Sequence, residues 1–274
     1  MWQKAIIIDD DFENENGLPV FDERFCKPVI RLGDPNLLLQ YVDEAAVGGS
    51  QLEYFTPNGV SLHLAISRKS ASAASLLLDE INMSAAIKEK HASSFNRPVL
   101  IADSKTVCDY LEQIQTAIVF SFTAVEAFAN ISIPSDYEYS KAGNRCMEIY
   151  DKPQIERYVN WKIKLSEILV EVYNTASIIT QSFWPEFCEL AKIRDSIIHQ
   201  KSMNDTSHYR QLFHKRVLRL CKSASSLIGF FIDSTSTLDN EMSGNERRWP
   251  LLTEKGAIVG ASSTLEVSRE KPKD

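Results

Sequence analysis

The chain has 274 residues, of which 44% are hydrophobic, and a formal net charge of −7 at pH 7. This length and apolar content suffice for one large domain or two small ones with a substantial core. The acidic balance excludes a protein that coats nucleic acid through its overall charge, and it still leaves room for a local basic site. The five cysteines are scattered and form no CxxC pair, which favours reduced, buried thiols over a disulfide framework or a zinc site.

Residues 1 to about 67 predict a small part of the protein that contains strands. The candidate strands are short β-branched or alternating runs, separated by turn-forming residues; they are KAIIID, KPVIRL, QLEYF and VSLHLAI. The TPNG sequence between the last two predicts a hairpin, because Asn-Gly supplies the positive φ angles of a tight turn. On this interpretation His63 lies in a strand.

From Ser70 onward the apolar residues recur with a helical period. Helices are predicted at 70–90, 104–131, 153–180, 184–200 and 206–232. The polar tail predicts partial disorder, with one strand around GAIVG. The predicted fold class is therefore α+β and mainly α: a strand-containing part at 1–95, a helical bundle at 96–232 and a polar tail at 233–274.

The most apolar stretch, TAIVFSFTAVEAFANISI, approaches the length of a membrane span. Glu126 and Asn130 interrupt it and basic flanks are missing, which favours a buried core helix. The apolar run at the N-terminus is too short for a signal peptide, and acids follow it directly. We therefore predict a cytoplasmic protein that does not associate with a membrane.

An arginine interrupts the apolar face of the helix predicted at 184–200. On an ideal helical wheel, Arg194 lies among Leu190, Ile193 and Ile197. An unpaired buried guanidinium costs several kcal/mol, so Arg194 needs a partner or water. Glu126 is a similar charge on the apolar stripe of helix 104–131, which predicts a Glu126–Arg194 pair. The pair is either a structural salt bridge or a device by which Glu126 fixes Arg194 in a pocket.

His199 follows Arg194 after five positions, or roughly 140° around a helix, so the two cannot share a face of an unbroken helix. Either the helix ends or bends near Ile198, or the site forms at the end of the helix, or two subunits assemble it across a dimer axis. The turn-forming sequence QKSMNDTS follows directly and favours a helix end. Asp195 precedes His199 by four residues and would hold its imidazole if helical geometry extends that far.

Basic residues are concentrated between Lys192 and Lys222. This segment has eight basic and two acidic residues, a formal charge of +6, whereas the rest of the chain carries 22 basic and 35 acidic residues, or −13. Such a basic segment on an acidic protein suits a phosphate-containing ligand. The alternative is a solvated helix face that happens to be rich in lysine and arginine.

The sequence RDSIIH resembles the Arg-x(4–6)-His motif of HEPN domains, including the polar residue directly after the arginine. The upstream SFTAVEAFANI resembles the first long helix of many HEPN-like bacterial proteins. The resemblance covers about residues 104–232. It does not explain the role of residues 1–95. HEPN domains are helical bundles that usually dimerise. Many are metal-independent endoribonucleases of toxin–antitoxin, abortive-infection and CRISPR-linked defence systems, and others are non-catalytic binding modules.

The resemblance implies a ribonuclease in which the RNA 2′-hydroxyl attacks the adjacent phosphate. His199 would be the acid and base, because histidine titrates near neutral pH, and Arg194 would stabilise the phosphate charge. Asp195 would have an orienting or polarising role, and Glu126 would position Arg194.

The basic segment would supply the contacts to the RNA phosphates, at Lys201, Arg210, His214 and Arg216. No metal and no cofactor is needed. The implied partners are RNA, a second copy of the chain, and an antitoxin or another protein of a defence system.

Overall fold

The computed structural model describes residues 4–8, 24, 38–90, 97–143, 147–199, 207–236, 252–253 and 256–257. The protein is mainly helical and has small antiparallel sheets, as predicted. The chain divides into two compact units. The first is formed by residues 1–62 and 231–274, and the second by residues 63–230. The domain boundaries predicted at 95/96 and 232/233 stay a prediction.

The first unit contains an antiparallel sheet with the strand order β1 (Lys4–Ile8), β2 (Leu38–Val47) and β3 (Ser50–Phe55). The two-residue turn between β2 and β3 is Gly48–Gly49, with φ of 58° and 86°. Glycine suits both positions because this tight hairpin turn needs positive φ angles. The strands predicted at KAIIID and QLEYF are confirmed, and KPVIRL lies outside the described residues. Strand β2 was not predicted, because its alanines and acids have low strand propensity.

The hairpin predicted at TPNG is wrong, because VSLHLAI begins a helix, α1 (Gly59–Lys90). The side chain of Asn58 accepts hydrogen bonds from the backbone amides of Val60 (3.1 Å) and Ser61 (3.3 Å). Asparagine before glycine therefore caps the helix here and does not form a turn. His63 is consequently a helical residue and not a strand residue.

The second unit is a bundle of helices. After α1 come α2 (Arg97–Ser132), α3 (Lys152–Tyr158), α4 (Trp161–Ile163), a π-helix (Lys164–Ile168), α5 (Leu169–Val172), a 3₁₀ helix (Ile178–Thr180), α6 (Trp184–Ile198), α7 (Ser207–Leu212) and α8 (Arg216–Ser236), which continues into the first unit. A hairpin of β4 (Tyr139–Ala142) and β5 (Met147–Tyr150), which the sequence did not predict, precedes α3. In the tail, β6 (Leu252–Thr253) pairs with β7 (Gly256–Ala257). Strand β7 lies within the GAIVG sequence where a strand was predicted.

Two of the predicted helices are interrupted. The segment predicted as one helix at 153–180 breaks at Val159, whose backbone is extended, and the Asn160 side chain caps the next helix by accepting from the Lys162 amide at 2.8 Å. The segment predicted at 206–232 is divided by a turn between α7 and α8.

Helix α2 is the core of the second unit. Tyr110, Phe122 and Phe128 on this helix are all buried. Pro98–Ser132 is the one described helix whose length and composition would suit a membrane span, and half of its apolar window is buried within the protein. This burial agrees with the interpretation of the stretch as a core helix.

Three free cysteines lie within the described part of the chain. Cys221 is buried, Cys188 is half-buried and Cys108 is exposed. Burial raises the pKa of the Cys221 thiol to about 12, so this thiol stays protonated and unreactive at neutral pH. The expectation of buried thiols thus holds for Cys221 and is wrong for Cys108; Cys26 and Cys146 lie outside the described residues.

Buried hydroxyl groups join α2 to its neighbours. The hydroxyls of Ser67 and Ser121 lie 2.6 Å apart between α1 and α2, and Ser121 also donates to the Cys221 carbonyl of α8 at 3.2 Å. The Tyr110 hydroxyl donates to the Leu212 carbonyl at the end of α7. Burial raises the pKa of Tyr110 to about 12, so the phenol remains a hydrogen-bond donor.

We expect Tyr110→Phe to lower the free energy of unfolding by about 1–3 kcal/mol, because it leaves the buried Leu212 carbonyl without its donor. Denaturant unfolding measures this change. The matched control is Tyr158→Phe, whose ring is 64% exposed and whose change is expected to stay within about 0.5 kcal/mol. Equal stabilities for the two variants would show that the Tyr110 hydrogen bond does not hold α7 against α2.

Candidate functional site

Helix α6 carries Arg194 at the edge of the core. Its inner face is formed by Phe187, Leu190, Ala191 and Ile193, which are all buried. The Arg194 side chain is 23% exposed, and its Nη2 lies 3.6 Å from Oε2 of Glu126 on α2. The predicted Glu126–Arg194 pair is therefore confirmed as a contact. The Glu126 side chain is 41% exposed, so the pair lies at an opening of the protein surface.

Two further contacts hold the guanidinium of Arg194. Its central carbon lies 4.6 Å from the centre of the Phe122 ring, within the range of a cation–π interaction. Its Nη1 lies 3.0 Å from Oδ1 of Asp195. The Nε atom is buried and has no hydrogen-bond partner among the described residues. The Phe122 ring and the carboxylates of Glu126 and Asp195 thus fix the orientation of the Arg194 guanidinium.

Helix α6 ends at Ile198, directly before His199. His199 has φ −109° and ψ 48°, which is outside helical geometry, and its side chain is exposed. Its backbone amide donates to the Asp195 carbonyl at 2.9 Å, whereas the Asp195 carboxylate contacts Arg194. The helix end that the sequence favoured is therefore observed. Five residues of helical rise separate Arg194 and His199 by about 7.5 Å along the axis.

The predicted RNA-contacting residues differ in their surroundings. Arg210 on α7 and His214 after it are exposed, and Lys201 lies outside the described residues. Arg216 forms an ion pair with Glu189 on α6. Helix α7 itself meets α6 near its end, where Gln211 Nε2 lies 3.5 Å from the hydroxyl of Ser196. Arg210 and His199 thus belong to adjoining helix ends, while Arg216 is engaged along the side of α6.

Much of the basic segment is neutralised by acids from other helices. Arg219 Nε lies 3.0 Å from Glu186, and Lys215 Nζ lies 3.1 Å from Asp79. With the pairs of Arg194 and Arg216, four of the seven basic residues of this segment that the structure describes have a carboxylate partner. The positive potential of this face is therefore lower than the sequence count of +6 implies.

A cavity of about 250 Å³ opens beside the Glu126–Arg194 pair. Its walls come from α2, the end of α3, α4, the π-helix and α6. The lining residues that matter for its chemistry are Phe122, Glu126, Arg157, Asn160, Trp161 and Lys164. Phe122 and Glu126 are thus shared between the cavity and the contacts of Arg194.

Lys164 is a site residue that the sequence analysis missed. It is only 7% exposed, and its ammonium donates to Oδ1 of Asn130 at 2.9 Å and to the Glu156 carbonyl at 2.8 Å. The signal was a lysine within the apolar run WKIKLSEIL, the same kind of anomaly as Arg194. A lysine on a helix usually extends to solvent, so this pattern alone does not predict that Lys164 is buried.

Lys164 begins a π-helical turn. The amide of Leu169 donates to the Lys164 carbonyl, five residues back, so this turn holds one more residue than an α-helical turn. Lys164, Leu165 and Ile168 in this turn are all buried. Single π-helical turns are frequent at functional sites, and this one forms a wall of the cavity.

Burial dominates the electrostatics of the site. It raises the pKa of the Glu126 carboxyl above its ordinary value, and the attraction of Arg194 and Lys164 offsets only part of this shift. Burial also lowers the pKa of the Lys164 ammonium, against the attraction of Glu126 and Glu156. The environment of Glu126 thus disfavours its charged form, although two cations lie near it.

We expect wild type to lose stability relative to Glu126→Gln as the pH rises. The folded-state pKa of Glu126 lies above the unfolded value, so the folded state binds the proton more tightly. The stability that this tighter proton binding contributes is therefore fully present below the unfolded-state pKa of Glu126. It is lost as the pH rises through the folded-state pKa of Glu126. Thermal melts between pH 4 and pH 8 measure the difference in stability between wild type and Glu126→Gln. This difference is expected to favour wild type most at pH 4.

The control for this series is Glu112→Gln on an exposed position of the same helix, which is expected to stay within about 0.5 kcal/mol of wild type at pH 7. A Glu126→Gln variant that loses stability relative to wild type as the pH rises would reverse the sign and make Glu126 a net stabilising partner of Arg194.

The described residues contain no group of three His, Cys, Asp or Glu side chains arranged to hold a metal ion. No family model, no curated protein and no solved structure matches this chain.

Proposed function

We propose that this protein is a metal-independent endoribonuclease of the HEPN type, acting as a toxin or anti-phage defence effector. The observation that carries the proposal is the end of α6: the helix stops directly before the exposed His199, and one turn earlier Arg194 is fixed and partly exposed. A proton-transfer group and a rigid cation at one helix end are the two groups that metal-free RNA cleavage requires.

In the proposed reaction, His199 removes the proton of a 2′-hydroxyl while its oxygen attacks the neighbouring phosphorus. The bond between phosphorus and the 5′-oxygen of the next nucleotide breaks, and the departing oxygen takes a proton from an imidazolium. The products are a 2′,3′-cyclic phosphate and a free 5′-hydroxyl. Arg194 stabilises the charge on the phosphate oxygens in the transition state.

The contacts of Arg194 support a defined role for each neighbouring acid. Glu126 holds the guanidinium from the core side, and Asp195 holds it from the surface side. The Asp195 side chain is 55% exposed, so an incoming phosphate can replace it at Nη1 with little loss. Asp195 then acts on the orientation of Arg194 in the free enzyme.

The proposal includes a homodimer in the cytoplasm. Arg194 and His199 are separated along the helix by about 7.5 Å, and a second α6 end would bring a second proton-transfer group to the same phosphate. The other partners are RNA and an antitoxin or defence protein that restrains the activity. Arg210 and His214, which are exposed, are the proposed contacts to RNA phosphates, with Lys201 and Arg216.

The second candidate is a non-catalytic HEPN-like module for dimerisation or for binding a partner protein. One observation favours it: carboxylates already lie on both terminal nitrogens of Arg194, and Phe122 covers one face of its guanidinium. In that case the pair stabilises the bundle, and the exposed His199 has no chemical role.

Cleavage of labelled RNA by the purified chain in EDTA tests the proposal. The expected products carry 2′,3′-cyclic phosphate and 5′-hydroxyl ends, and DNA of the same sequence stays intact because it lacks the nucleophile. Cleavage that requires added Mg²⁺, or that also occurs in the DNA, would contradict the proposed mechanism. Intact RNA together with a stable, fully folded dimer would favour the binding module.

A further inference from the structure

We propose that the cavity beside Arg194 is a nucleobase subsite with a preference for guanine, which selects the nucleotide next to the scissile phosphate. The inference rests on the proposed function for the source of the base, an RNA substrate. It concerns the cavity between α2, α3, α4, the π-helix and α6, which shares Phe122 and Glu126 with the contacts of Arg194.

The walls of the cavity suit a flat ring. Phe122, Trp161 and Phe187 line it together. Phe122 and Phe187 are fully buried, and Trp161 is half-buried. The Trp161 ring packs edge-to-face against Phe187 at 5.4 Å and against Phe122 at 5.8 Å, which fixes its orientation. Stacking on such a rigid aromatic ring is how proteins commonly hold a single unpaired base.

The volume of the cavity limits the ligand. Pockets for drug-sized molecules measure about 300–1,000 Å³, and this cavity of about 250 Å³ is somewhat smaller. One base fits this space better than a whole dinucleotide. A chain of nucleotides would therefore place one base inside and leave its sugar and phosphate at the opening.

The polar groups of the cavity are a carboxylate and a buried ammonium. Glu126 contacts Arg194 through Oε2 at 3.6 Å, and its side chain is 41% exposed, so the carboxylate stays accessible to a ligand. The Lys164 ammonium donates two hydrogen bonds within the protein and has three protons, so one proton is left for a ligand. Both residues line the cavity.

Guanine complements this pair better than the other bases. Its Watson–Crick edge offers two parallel N–H donors, N1 and N2, beside one acceptor, O6. A carboxylate accepts both donors at once, and an ammonium donates to the acceptor. Adenine and cytosine each offer one amino group on this edge, and uracil offers a single N–H, so each makes fewer bonds with Glu126.

The position of the cavity links base and phosphate. The Arg194 guanidinium lies over the Phe122 ring, and Phe122 lines the cavity. Glu126 likewise contacts Arg194 and the cavity. A base held against Glu126 thus brings its own phosphate close to Arg194, the group assigned to stabilise it.

The test measures binding apart from cleavage. The folded full-length His199→Ala variant is titrated with the 3′-monophosphates of guanosine, adenosine, cytidine and uridine by calorimetry. All four carry the same sugar and phosphate, so differences report the base. Guanosine 3′-monophosphate is expected to bind at least about tenfold more tightly than the others, and inosine 3′-monophosphate, which lacks the 2-amino group, to fall between.

Glu126→Gln in the same background is expected to abolish the preference for guanine, whereas the control Glu112→Gln keeps it. Equal binding of all four nucleotides, or no binding by the folded protein, would overturn the inference. A cavity that instead binds N-acetylarginine amide through Glu126 and rejects guanosine monophosphate would also overturn it, because the occupant would then be an arginine of a partner protein.

The two proposals fail separately. RNA cleavage in EDTA without preference for any base would leave the ribonuclease in place and remove the guanine subsite. Guanine-selective binding without any cleavage would establish the subsite and remove the ribonuclease activity.

Discussion

His199→Ala is expected to lower the rate of RNA cleavage by about 10²- to 10⁴-fold, the usual contribution of a positioned proton-transfer group. The free energy of unfolding should change by no more than about 0.5 kcal/mol, because the side chain is exposed at the end of α6. Initial rates on one labelled RNA in EDTA, beside thermal melts, measure both quantities.

The matched control is His208→Ala, a histidine on α7 that has no assigned role. Its half-buried ring lies 3.9 Å from the ring of Tyr209, and its cleavage rate is expected to equal that of wild type. If His199→Ala and His208→Ala cleave equally fast, the proton-transfer role of His199 is refuted, whatever the mechanism of the remaining activity.

Arg194→Ala is expected to lower the cleavage rate by about 10²- to 10³-fold, the cost of removing one preorganised group that stabilises transition-state charge. Arg194→Lys should recover only part of this loss, because an ammonium lacks the planar fork that matches two phosphate oxygens. Single-turnover rates at saturating RNA separate this effect from weaker binding.

The stability of the Arg194 variants distinguishes the catalytic role from the structural one. The side chain is 23% exposed and Glu126 is 41% exposed, so loss of the ion pair and of the contact with Phe122 should cost no more than about 1–2 kcal/mol. A collapse of the melting temperature in Arg194→Ala, with wild-type stability in His199→Ala, would favour the structural pair. A folded Arg194→Ala protein with the wild-type rate would contradict the catalytic assignment.

Sequence alone predicted the pair at the centre of the site. Glu126 and Arg194 are charges on two apolar stripes, and burial requires each to find a partner; the contact between them follows from that requirement. The end of α6 was also predictable, since turn-forming residues follow His199. Both features depend on local pattern and on the energetic cost of an unpaired charge.

Other features were not predictable because they depend on tertiary contacts. Asn58-Gly59 suits both a hairpin turn and a helix cap, and the apolar residues after it decide in favour of the cap. Lys164 is buried in a π-helical turn and takes its hydrogen-bond partners from two other segments, at Asn130 and Glu156. The charge of the basic segment, counted along the chain, does not show that Glu186 and Glu189 neutralise two of its arginines.

The most direct test is the cleavage of one labelled RNA in EDTA by the double variant Arg194→Ala/His199→Ala, beside wild type and each single variant, with all four shown to be folded. Because both residues act on the same step, the double variant should fall little further than the more impaired single variant. Cleavage by the folded double variant at the wild-type rate would contradict the account, since the activity would then arise elsewhere.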